Sequence, residues 1–198
     1  MTTASIHPLD AGPVHDRYGA VACSLHWLIA VLIVAQIAMG WTMGAVAKPT
    51  ARAIESWHIS FGIVVLLLTL ARIAWRLTHR PPPLADAMPG WEKGLAHAVH
   101  AVFYILLLAI PLSGWFMESI GARPIHVFGF VWPHFPGVAA MLEGQDKREI
   151  KSTIEEIHGS ALVWAVIALI ALHVAGALKH QFDGHPVLWR MAPGLKRP

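Results

Sequence analysis

Four long apolar runs, at about residues 20–44, 57–77, 95–118 and 155–180, decide what this chain can become. Each is near the ~20 residues a helix needs to cross a bilayer. Backbone groups in lipid find no water, so a lone run of this kind must bond within itself as a helix. Composition agrees: 56% of the 198 residues are hydrophobic and only 14% are charged, where soluble domains carry about 25% charged residues. The expectation is an all-α integral membrane four-helix bundle, forming one domain over residues 1–198. A large soluble core would rarely need four such runs. Residues 1–19 carry Pro8, Asp10, Pro13 and Asp16 and no short apolar segment with a cleavage site, so no cleaved signal peptide is expected.

Four spans return the chain to its starting side. That side holds the N-terminus, the link between spans two and three, and the C-terminus. It carries nine Lys and Arg against five Asp and Glu, while the other side carries six against seven. An excess of Lys and Arg marks the cytoplasmic side, so both termini are expected in the cytoplasm. The net charge of +3 is accounted for by this bias. Lipid is the partner implied, and no nucleic acid is needed to explain it. The single cysteine, Cys23, excludes an internal disulfide, the C-x-x-C-H attachment of c-type haem and a cysteine-held iron–sulfur cluster.

The link "RPPPLADAMPG" cannot be helical throughout. Pro111 falls inside span three, where a kink is tolerated if neighbours satisfy the freed carbonyl. The outer loop, about 119–152, is long enough to have a role of its own. Its aromatic half places Trp132 and Phe135 at the membrane interface. Its charged half, "MLEGQDKREIKSTIEE", suits a short helix leading into span four.

Histidines fall at matching depths in these spans. His26 lies near the inner end of span one and His58 at the outer end of span two. His97 and His100 open span three on the inner side. Span four carries His158 outside, His173 toward the inside and His180 beyond it. His158 and His173 are ~22 Å apart along a helix axis and only ~60° apart around it. His58 is therefore expected to face His158, and His26 to face His173. Facing imidazoles on neighbouring helices suit a planar metal macrocycle such as haem. One turn after three of these positions stand Ala30, Gly62 and Ala177, which leave room for a ring; Leu162, one turn after His158, does not. Zinc or copper stays open as an alternative, as does a hydrogen-bonded histidine pair.

Short pieces then accumulate in order: "SLHW", "WHISFG", "GLAHAVH", "EEIHGS", "LHVAGALKHQF" and "LWRMAP". With them the chain resembles the bacterial cytochrome b561 family, four-helix membrane cytochromes with two b-type haems. The resemblance covers nearly all of the chain except the N-terminal tail and the outer loop. It implies a multi-pass protein of the bacterial inner (cytoplasmic) membrane. It makes His58 and His158 the axial ligands of an outer, periplasmic haem, and His26 and His173 those of an inner one. In the superoxide oxidase branch it implies electron entry from superoxide and exit to ubiquinone, with Ser24, His100 and His180 at the quinone pocket. Spacing is compatible with the last role, since His180 lies ~10 Å inward of His173 and is rotated by only ~20°. Arg72, ~21 Å inward of His58, is placed to pair with propionates of the inner haem or with lipid phosphate.

Three functions follow as expectations. The first is a superoxide:ubiquinone oxidoreductase carrying two haem b. The second is an electron-conduit or anchor haem subunit for a periplasmic donor, with "IGARPIHVFGFVWPHFPG" as its docking surface. The third is a non-haem protein using histidines for metal or proton transport.

Overall fold

The computed structural model describes residues 17–83, 88–121, 123–183, 187–192 and 194–195. Asp10, Asp16, Asp86, Lys196 and Arg197, which entered the charge balance, lie outside these, as do Pro8 and Pro13. Helices α1 (Ala20–Ala45), α2 (Lys48–Thr78) and α3 (Gly90–Ile120) come first. A hairpin of β1 (Ile125–Val127) and β2 (Phe130–Trp132) follows, then the one-turn α4 (Val138–Met141). Helix α5 (Lys147–Glu156) runs through a π-turn, Ile157–Leu162, into α6 (Val163–Phe182) as one continuous rod. Among the described residues, four helices are long and apolar enough to cross a membrane.

The helices extend beyond the apolar runs, most at α2 and at the α5–α6 rod. Helix α2 begins at Lys48 rather than near 57, because Pro49 suits the first helical turn and the residues after it are good helix formers. The α1–α2 connection is accordingly very short. The aromatic half of the outer loop forms a hairpin, and its charged half the helix α5. Val127 pairs with Phe130 across a two-residue turn in which Phe128 (φ 49°) and Gly129 (φ 86°) both take the left-handed region, the form that matches strand twist. Trp132 and Phe135 fold onto the end of α3, against Trp115 at 6.1 and 5.1 Å between ring centres. Asp146 caps α5 by accepting from the backbone N–H groups of Arg148 and Glu149.

Pro111 is buried and α3 continues through it. The central layer of the bundle is apolar: Ile29 and Ile33 of α1, Val65 of α2 and Leu107 of α3, with Ile170 of α6 packed against them. Helix α1 packs along α2 and α2 along α3, while α6 packs on α3 and meets α1 through rings, and the π-turn meets α2 through His158.

The described terminal segments meet at one end of the bundle. Tyr18 N donates to Arg190 O, and Trp27 Nε1 donates to Met191 O at 2.9 Å. Arg190 also reaches the α2–α3 link through Pro83 O at 2.7 Å. The described parts of the three segments expected to share a side therefore lie at one end of the bundle.

Candidate functional site: two histidine layers

The rods of α1, α2 and α6 carry the histidines to two levels, one on each side of the apolar layer. At the hairpin end, His58 and His158 lie 6.1 Å apart between ring centres, with planes at 79°. At the other end, His26 and His173 lie 6.2 Å apart, with planes at 65°. All four are half-buried.

A bridging iron demands a definite spacing. A metal sits about 2.0–2.1 Å from a histidine nitrogen, and that nitrogen is about 1.1 Å from its ring centre, so two opposed imidazoles on one metal have centres about 6.2–6.4 Å apart. The inner pair meets this span and the outer falls about 0.1 Å short of it. His100 also approaches His173, but at 5.5 Å, shorter than a bridged pair allows. Among the described residues, no group of three or more His, Cys, Asp or Glu side chains is placed to hold one metal ion. The donor set thus fits axial ligation in pairs and does not fit a tetrahedral zinc site.

The outer pair has unequal surroundings. His158 is the second residue of the π-turn, a distortion frequent at functional sites. Its Nδ1 lies 2.9 Å from Ser113 Oγ of α3. His58 Nδ1 is buried and has no hydrogen-bond partner among the described residues, while its backbone carbonyl accepts from Gln36 Nε2 at 2.9 Å. Space beside His158 comes from Gly114 rather than from its own helix: a Cβ there would lie 3.0 Å from His158 Cε1. A methyl group on Gly62 would come 3.2 Å from Gln36 Nε2, so this glycine makes room for an amide. Gly114→Ala is expected to destabilise the protein by ~1–3 kcal/mol through overpacking. Gly94→Ala, where nothing lies within 4 Å, serves as control; equal melting temperatures for the two would contradict the contact.

The inner end holds the remaining expected residues. Phe103 packs edge-on to His173 at 5.4 Å. Arg72 is half-buried, and its Nε donates to Tyr104 Oη over 3.4 Å. Arg76 lies over the Tyr104 ring. His180 Nε2 is 3.6 Å from Glu92 Oε2, and Lys179 bridges Glu92 and Asp183 at 3.0 and 2.9 Å. Ser24 is exposed two residues before His26, and no hydrogen bond or ring contact joins it to His100 or His180 among the described residues. His97 is exposed on the helix surface.

Ser113, Gly114, Gln36, Tyr104 and Glu92 were not singled out from sequence. Glu92 had a usable signal, being a carboxylate at the start of a span on the side where His180 ends. Ser113 had none, because its role depends on how α3 is rotated against the π-turn.

The family model described as prokaryotic cytochrome b561 matches residues 17–194. "Cytochrome b561 homolog 2" of Escherichia coli (strain K12) is 31% identical over 188 residues, covering 89% of this chain and 91% of the relative. "Probable superoxide oxidase CybB" of Yersinia pestis is 26% identical over 175 residues, covering 85% and 91%. "Cytochrome b561 homolog 1" of Escherichia coli (strain K12) is 27% identical over 188 residues, covering 91% and 99%.

Proposed function

Since this chain belongs to the prokaryotic cytochrome b561 family, multi-pass proteins of the bacterial inner membrane whose redox role implies haem b, we propose that it holds two haem b groups and moves electrons from superoxide to ubiquinone. The carrying observation is the pair of imidazole couples, at 6.1 and 6.2 Å, on opposite sides of one apolar layer. His58 and His158 hold the outer group, and His26 and His173 the inner. Haem b supplies a one-electron iron couple when bound. Two superoxide anions each give up one electron and leave as dioxygen. Ubiquinone gains those two electrons and two protons and leaves as ubiquinol.

The chain's own residues supply orientation, insulation and protons. Ile29, Ile33, Val65 and Leu107 keep water and ions from the space between the two levels. Arg72 lies inside the inner cluster, placed to meet haem propionates. Glu92 and His180 form a carboxylate–imidazole pair at the cytoplasmic end, suited to deliver protons to a quinone headgroup beside His100 and Ser24. The positive-inside bias puts that end in the cytoplasm.

Purified protein is expected to show b-type bands in a reduced-minus-oxidised spectrum. With superoxide and a soluble ubiquinone analogue, it is expected to form ubiquinol well above the uncatalysed rate. A b-type spectrum without that excess would sink the superoxide assignment and favour a conduit subunit for a periplasmic donor. Absence of b-type bands would sink the haem assignment itself.

A further inference from the structure

We propose that Ser113 of α3 is a positioning residue that fixes the tautomer and rotation of His158 and so tunes the outer haem, an inference that rests on His158 being its ligand. One proton decides the matter. Ser113 Oγ lies 2.8 Å from the backbone oxygen of Ile110 and 2.9 Å from His158 Nδ1. Both distances suit full hydrogen bonds. The Ile110 carbonyl has no hydrogen to give, so the serine hydroxyl donates to it. The hydroxyl then offers His158 a lone pair, so Nδ1 carries the proton; the same Ile110 carbonyl also lies within reach of that N–H as a second acceptor. The Nε2 lone pair is thereby left free, the state a metal ligand requires.

Gly114 makes this contact possible. It lets the His158 ring lie against the α3 backbone, where any Cβ would meet Cε1 at 3.0 Å, Nδ1 at 3.5 Å and Nε2 at 3.7 Å. A helix that contributes no ligand to the outer layer thus sets the orientation of one. The opposite ring has no equivalent anchor, since His58 Nδ1 is without a partner among the described residues. A ligand whose second nitrogen donates a hydrogen bond is more basic toward its metal. Donation from serine to carbonyl polarises the oxygen and strengthens its acceptance from Nδ1. The anchored His158 therefore favours ferric iron, and losing the anchor favours ferrous iron.

The test uses the full-length protein with its haems. Ser113→Ala is expected to raise the midpoint potential of one haem and shift one low-spin electron paramagnetic resonance signal, leaving the other haem unchanged. It is also expected to weaken retention of that haem by about 10–100-fold, read by transfer to an apo-globin acceptor. Ser113→Thr, which keeps the hydroxyl, is expected to restore both spectrum and potential. His158→Ala separates the two ideas. If it removes one haem while Ser113→Ala leaves both potentials and both signals as they were, the positioning role is wrong and the ligand assignment stands. If His158→Ala retains both haems, the assignment and the role fall together.

Discussion

His158→Ala is expected to leave the protein with one haem b in place of two. The lost group is the outer one, because His58 alone offers a single axial bond and its Nδ1 is already unanchored. The inner couple is separated from the change by the apolar layer around Val65 and Leu107. Haem-to-protein ratio by the pyridine haemochrome method should fall from about two to about one. His58→Ala should give the same result, and His26→Ala or His173→Ala should remove the other group. Loss of both haems in every variant would mean that the layers are not independent sites. The effect on superoxide-dependent quinone reduction should be near-complete in all four.

The second large effect is expected at the inner end, without loss of haem. His180→Ala should keep both b-type signals and slow ubiquinol formation by about 10²-fold or more, the range seen when a general acid is removed. Glu92→Gln should slow it too, because the carboxylate 3.6 Å from His180 Nε2 holds and reloads that imidazole. Lys179 complicates the comparison, being bonded to the same carboxylate. Lys179→Met is therefore the needed control, and it should have the smaller effect, since an exposed ion pair contributes little. If Lys179→Met slows the reaction as much as His180→Ala, the cluster is structural and protons enter elsewhere.

The four helices and the two histidine layers were legible in the sequence because lipid enforces them. An apolar run with no internal break has one way to satisfy its backbone, and a fixed rise converts residue number into depth. His58 with His158 and His26 with His173 follow from that ruler. What could not be read was rotation. The π-turn at Ile157–Leu162 adds about one residue to the helix, setting it back by ~100° and carrying the expected ~60° offset to about 40° in the other sense. The histidines stay on one face, but the residues beside them change. Gly114, on a different helix, makes room beside His158, which spacing along one helix does not reveal. The start of α2 was missed for a different reason: hydropathy marks where lipid begins, whereas the helix continues through Lys48–Ser56 outside it. The hairpin escaped because its turn uses Phe128 at positive φ, a place where glycine or asparagine gives the usual signal. Ring contacts with Trp57 and Phe61, with Ser60 Oγ accepting from Phe128 N, hold that residue there.

The fourth span has very little protein around it: only 6% of its most apolar stretch is buried. Membrane helices associate through van der Waals contact and polar bonds, and lipid offers no hydrophobic drive to replace them. Here the ties from this span to α1 and α2 run largely through histidine and tryptophan rings. Bound haem would then act as mortar between the last helix and the first two, and stability would follow haem supply by mass action. If the proposed haems bind there, chain lacking them would be the less stable species and the one more open to proteolysis.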